Sequence, residues 1–208
     1  MSADKTATAN IIVLRKIRYQ ESGLIIASIS PQLGRLDFIA KGARRLGGKK
    51  YPEIDLFREL EVKFREKDQG LLTPLSIELI ENNDAIAEQV EAFMKMENLA
   101  SFLLKNIHHG MPCPAVYASL ARALALCRMA EPAYPWDSLV KLVYLDENGL
   151  LSDRLSHNEG VKDEKVRRNA LTALLRLAVN GGPAPAFATR FWRRLEQWIG
   201  ALCVYHGL

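Results

Sequence analysis

Residues 33–50 read Leu-Gly-Arg-Leu-Asp-Phe-Ile-Ala-Lys-Gly-Ala-Arg-Arg-Leu-Gly-Gly-Lys-Lys. Over residues 33–41 the residues Leu36, Phe38 and Ala40 alternate with Arg35, Asp37 and Lys41, the period of two that sends successive side chains to opposite faces of a strand. The strand then runs into a glycine-spaced loop carrying Arg44, Arg45, Lys49 and Lys50, with no acid between Lys41 and Lys50. Five cations that nothing nearby in sequence neutralises must face water or a polyanion. A solvated loop is the plain alternative; the flanking segments favour the polyanion.

Upstream, residues 11–19 begin as an apolar run, Ile-Ile-Val-Leu, and end in Arg15, Lys16 and Arg18, as suits a strand leaving a core for solvent. After a turn at residues 20–23, an Ile-rich second strand (24–29) is stopped by Ser30-Pro31, since proline cannot donate to a central ladder. Downstream, residues 59–67 give the cleanest alternation in the chain, with Leu60, Val62 and Phe64 opposite Glu59, Glu61, Lys63, Arg65 and Lys67. Asp68-Gln69-Gly70 reads as a tight connection, and residues 71–80 return with Thr73, Leu75, Ile77 and Leu79 on one face. Five short strands in this span predict a small barrel of the oligonucleotide-binding (OB) type, which tracks a nucleic-acid backbone along one face. The expected DNA-contacting residues are Arg15, Lys16, Arg18, Arg35, Lys41, Arg44, Arg45, Lys49, Lys50, Lys63 and Arg65.

The remainder is helical in pattern. Asn82-Asn83-Asp84 is a helix-start signal, and Ile86, Val90, Phe93, Ala100, Leu103 and Ile107 recur at three- and four-residue steps, widened by Ala92, Met96 and Leu99. So broad a stripe predicts a helix that packs on two sides. Further helices are expected over residues 115–129 and 136–147, from near Asp163 to a stop at Gly181-Gly182-Pro183, and over residues 186–205. On the last, Phe187, Phe191, Leu195, Trp198 and Leu202 form the apolar stripe. Trp192 falls off it, and with Tyr19 is the aromatic side chain expected to be partly exposed. The fold class is therefore α+β: an OB-type barrel over residues 1–82 and an all-helical domain over 83–208.

Composition supports a folded chain: 208 residues are 49% hydrophobic and 25% charged, with a net charge of +4. Nine of the Lys and Arg residues lie between positions 10 and 50, against only Glu21 and Asp37. Cys113, Cys127 and Cys203 show no CxxC spacing, so neither a disulfide framework nor a zinc ribbon is supported and a reducing, cytoplasmic setting is expected. No apolar run is long enough to cross a membrane and no secretion signal opens the chain. Asp146, Glu147, Asp153 and His157 have no spacing that would converge them on an ion, and His108, His109 and Cys113 supply one thiol only. No Gly-x-Ser-x-Gly, HExxH or Walker loop is present, so catalysis and cofactors are not expected.

Taken in order, Ile12-Val13-Leu14-Arg15, Tyr19-x-Glu21-Ser22, Gly34-Arg35-Leu36 and Ala40-Lys41-Gly42-Ala43-Arg44-Arg45 resemble the opening of the recombination mediator RecO. The match covers the first eighty residues by motif and the rest by architecture. The resemblance implies a bacterial DNA-repair protein, not an enzyme. Such a protein binds single- and double-stranded DNA, anneals complementary strands and helps load RecA onto gaps coated by single-strand-binding protein, together with RecR. It also implies capture of the acidic, apolar tail of single-strand-binding protein by the helical domain, for which Arg122, Arg128, Lys141 and Arg190 are the expected charge clamp. Many members carry a four-cysteine zinc module in the helical domain; here the equivalent stretch, residues 150–160, has no cysteine, and no zinc is expected.

Overall fold

The alternation at residues 33–41 becomes a strand in the computed structural model, which describes residues 5–44, 51, 53–67, 70–128, 134–151, 161–183, 185 and 187–208, with backbone alone for 161–167. The strands are β1 (Thr6–Tyr19), β2 (Gly23–Ser30), β3 (Gly34–Ala40), β4 (Glu59–Arg65) and β5 (Thr73–Glu81). They form one antiparallel sheet in the order β3-β2-β1-β4-β5. The sheet closes on itself where Leu72 meets β3 in parallel: the Ile39 N–H donates to Leu72 O and the Leu72 N–H to Asp37 O, each at 2.9 Å. This is the OB-type barrel. Closure removes most of the unpaired edge that an open five-stranded sheet would present.

The interior is filled by the residues that alternation assigns to it: Ile11 and Val13, Leu24 and Ile26, Leu36, Phe38 and Ala40, Leu60, Val62 and Phe64. The Phe38 and Phe64 rings meet edge to face at 5.4 Å. The outside of the barrel is not uniformly wet. Ile12, Leu14 and Ile29 are buried yet lie outside this inner cluster, because α1 (Val90–Asn106) packs across β1 and β2. A strand buried on both faces needs a continuous apolar run, which accounts for Ile-Ile-Val-Leu at 11–14. The core side of α1 is Met96, Leu99, Ala100, Leu103 and Leu104. Phe93 adds an edge-to-face contact with Phe57 at 5.7 Å. Val90 and Met94, by contrast, are exposed.

The segment after α1 stays on the barrel. The Arg35 N–H donates to His108 O, Gly110 N–H to Leu33 O, and Cys113 N–H to Pro31 O, at 2.9–3.2 Å. Gly34 makes this approach possible: its φ is +67°, and a Cβ there would lie 2.4 Å from both His108 O and Met111 O. Only glycine fits such a position without displacing backbone. Chain contacts group Met1–Tyr117 into one compact unit and Ala118–Leu208 into a second. The unit that holds the barrel thus runs past the change from strand to helix at 82/83.

The second unit is helical. It holds most of α2 (Pro114–Cys127), with α3 (Trp136–Glu147), α4 (Val161–Asn180) and α5 (Thr189–Tyr205). Helix α3 packs against both α4 and α5 and is apolar nearly all round, with Leu139, Val140, Leu142, Val143 and Leu145 all buried. None of the described helices is long and apolar enough to cross a membrane.

Three expectations are corrected. Helix α1 begins at Val90, and Ile86 sits in a separate 3-10 turn (Asp84–Glu88), capped by an Asx turn in which the Asp84 N–H donates to Asn82 Oδ1. In β5 the pairing passes from Lys63↔Ser76 to Phe64↔Pro74, so Leu75 is an extra, bulged residue. A second shift occurs between Glu59 and Leu60, and Leu75 and Leu79 end exposed, with Pro74 and Ile77 inside. Finally, the buried stripe of α5 is Trp192, Leu195, Ile199, Leu202 and Cys203. Phe187 precedes the helix and is exposed, whereas Trp192 is buried and stacks on Tyr134 at 5.9 Å.

Candidate nucleic-acid interface

Helix α1 and the segment after it divide the outside of the barrel into a covered band and open faces to either side. The covered band holds Ile12, Ile29 and Arg35, which pair across β1, β2 and β3 in register. Arg35 is not a free cation there. Its guanidinium reaches Asp37 at 3.0–3.1 Å and donates to Leu104 O in α1 at 2.8 Å. Glu59, opposite Ile12, accepts from the Tyr117 phenol at 2.8 Å, and burial there pushes the Tyr117 pKa up.

Beyond the band, β1, β2 and β3 present an open face whose rows are fixed by register: Arg15–Ala27–Asp37, then Ile17–Ile25–Ile39, then Tyr19–Gly23 with Lys41 following β3. These residues alternate with Leu24, Ile26, Phe38 and Ala40 of the interior, so they point outward. Their placement on β1 depends on a bulge. Pairing steps from Val13↔Ser28 to Arg15↔Ala27, leaving Leu14 as the extra residue. Without it Arg15, Ile17 and Tyr19 would face the core, because one residue of slip exchanges the two faces of a strand. Arg15, Ile17 and Lys41 are exposed, and Tyr19, Ile25 and Ile39 are half-buried. The Tyr19 ring leans on Gly23, where a Cβ would approach Tyr19 O to 2.8 Å and ring atom Cδ1 to 3.4 Å.

The other predicted cations fall in three groups. Arg18 is exposed at the end of β1, and Arg44 is half-buried in the turn after β3, its N–H donating to Ser22 O at 2.9 Å. Arg44 lies beside the open face, whereas Arg18 pairs with Leu24 of the interior and so starts from the other side of β1. Lys16 is paired with Asp55. Burial works to raise the Asp55 pKa, but hydrogen bonds from Lys16 and the Leu56 N–H hold it below the usual carboxylate range. Lys63 and Arg65 lie elsewhere, on the outer face of β1, β4 and β5 beside Thr8, Thr6, Ser76 and Thr73. That face also carries Glu61 and Glu78, so its charge is mixed. Arg45, Lys49 and Lys50 lie outside the described residues.

A cavity of about 740 Å³ at one end of the barrel is lined by Ala9, Leu36, Phe64 and Leu72, with Glu66 and Lys67 together at its edge. Glu66 is bridged to Lys5 at 3.1 Å and the Lys67 ammonium donates to Leu71 O at 3.3 Å, so one acid and one base in the lining balance and give it no net pull on phosphate. Among the described residues the candidate metal ligands do not converge: His108 and His109 are exposed, while the Cys113 thiol is buried and contacts Ser30 O at 3.4 Å. Asp153, His157 and residues 152–160 of the stretch equivalent to the zinc module lie outside the described residues.

The first 83 residues match the family described as recombination protein O, N-terminal. This part of the chain is similar to the N-terminal domain of the RecO family. The DNA repair protein RecO of Mesoplasma florum is 29% identical over 97 residues, which is 46% of this chain and 36% of that protein. The match to RecO thus spans about a third of that relative's length.

In the helical unit, the four cations expected to clamp a peptide are dispersed over three helices and their ends. Arg122 of α2 lies against Gly181, where a Cβ would come within 2.5 Å of its guanidinium carbon. Lys141 is half-buried on α3 and close enough to the Cys203 thiol to act on its charge. Arg128 is exposed just after α2, and Arg190 is exposed in the first turn of α5. The signal that sequence reading missed is the Ile17–Ile25–Ile39 row, because a cross-strand row appears only once register is known.

Proposed function

We propose that this chain is a DNA-binding recombination mediator of DNA repair, acting by binding and annealing DNA strands and not by covalent catalysis. The observation that carries the reading is the open face of β1, β2 and β3 on a RecO-type barrel, with Arg15, Lys41 and Arg44 around it. Phosphate contacts of this kind supply affinity and position without reading sequence. Lys63 and Arg65 supply two further cations on the mixed-charge face of β4 and β5, and Arg45, Lys49 and Lys50 add positive charge to the sequence that follows β3. Annealing needs two strands held near one another with bases unpaired, which a cationic, shallow surface serves better than a deep pocket does.

In this reading the protein helps RecA onto gaps coated by single-strand-binding protein, works with RecR, and holds the acidic tail of single-strand-binding protein through the helical unit, with Arg122, Arg128, Lys141 and Arg190 as clamp candidates. Its setting is the cytoplasm, and it uses no metal or cofactor. The test is binding of labelled single-stranded DNA against salt, with annealing of complementary strands as second readout. Each neutralised phosphate contributes about 0.7 to the slope of log affinity against log salt, so Ala at Arg15, Lys41 and Arg44 should flatten the slope by up to about 2. A folded triple variant with unchanged slope and annealing contradicts this placement of the interface.

A further inference from the structure

The open face carries more than charge. Ile17 is 50% exposed and stands in register with Ile25 and Ile39 on the two neighbouring strands. A surface that met only phosphates would gain nothing from an isoleucine row at its centre, since cations alone attract duplex and single strands alike. Resting on the reading of this face as a DNA interface, we propose that the Ile17–Ile25–Ile39 row, with Tyr19 at its edge, is a seat for unpaired bases and makes the face selective for single-stranded over duplex DNA.

The geometry supports a strand lying across the sheet. Neighbouring strands stand roughly 4.8 Å apart, so three isoleucines in one row floor a strip about 10 Å long, enough for a splayed base and its neighbour. Tyr19 adds an aromatic ring beside the row, held by its contact with Gly23 and by the turn of Gln20, whose amide lies 3.4 Å from the phenol oxygen. The row is bounded by Arg15 on one side and Lys41 on the other, both exposed, where the phosphates of a crossing strand would run. Two acids are near: Asp37 is engaged by Arg35, and Glu21 is exposed in the turn after Tyr19. A duplex buries its bases in the stack and offers such a surface only backbone and groove edges, whereas a single strand offers apolar base faces to apolar and aromatic side chains.

The experiment uses the full chain with a labelled oligothymidine and a duplex of equal length, each titrated at several salt concentrations. Ile17→Thr combined with Tyr19→Leu should weaken single-strand binding by about tenfold, the scale of a lost base contact. Duplex affinity should stay within about twofold, and the salt slope should hold, since no phosphate contact is removed. Ile17→Ser alone, at a half-exposed position, should fold normally and show the same selective loss in smaller degree, and Tyr19→Phe should retain single-strand binding. Equal losses for single strand and duplex, or no loss for either, overturn the seat while leaving the DNA reading intact. Failure of the unaltered chain to bind either DNA overturns both.

Discussion

Arg35 behaves as a structural cation. It sits on the strand that opens the cationic stretch, yet its guanidinium is bonded to Asp37 and to the Leu104 carbonyl, tying β3 to α1. Arg35→Ala should therefore lower stability by about 1–2 kcal/mol, the loss of charge-assisted bonds at a partly exposed site, as read from denaturant midpoints. Arg15→Ala should change DNA affinity with little change in midpoint. A second residue-scale prediction concerns Asp84. The hydrogen bonds from Arg58, one of them 2.8 Å long, hold its pKa below the ordinary 3.8, and the pair ties the 3-10 turn to the segment before β4. Since the folded-state pKa is depressed, its contribution is present above the ordinary carboxylate pKa and is lost as pH falls through the lower folded value. Asp84→Asn should be less stable than the unaltered chain near neutral pH, and the two should converge once pH has fallen past the lowered folded-state value. A difference independent of pH would remove the ion pair from the account.

At the scale of elements, α1 is part of the barrel's construction. It covers Ile12, Leu14 and Ile29, which a bare barrel would expose side by side, and contiguous exposed apolar surface drives association. A fragment of residues 1–117 should unfold cooperatively, while residues 1–82 alone should aggregate or lack a cooperative transition. Light scattering and thermal melts of the two fragments decide it, and a soluble 1–82 fragment with the same midpoint would contradict the role of α1. Leu99→Ala, at the centre of the covered band, should cost about 2–5 kcal/mol. Strand positions were legible because alternation over residues 33–41 and 59–67 is local. What was not legible is where alternation breaks. The extra residues Leu14 and Leu75 depend on the partner strand's pairing, which neighbours in sequence do not encode, and they decide that Tyr19 and Ile17 face out and that Pro74, not Leu75, lies opposite Phe64. The α5 stripe was misjudged for a related reason: Trp192 is buried by Tyr134, a partner far away in sequence.

At the scale of the molecule, the chain divides its labour between a barrel unit with a cation-flanked open face and a helical unit built around α3. The cations that looked alike in sequence separate by structure into those spent on the fold, Lys16 and Arg35, and those disposed around the open face, Arg15, Lys41 and Arg44. The central claim is that DNA lies on the outer face of β1, β2 and β3. Photo-crosslinking of the full chain to single-stranded DNA carrying halogenated uracil, with the joined peptides identified by mass spectrometry, tests it most directly. Cross-links should map to Tyr19 and to peptides spanning residues 15–25 and 37–44; cross-links confined to β4 and β5 or to residues 118–208 would contradict it.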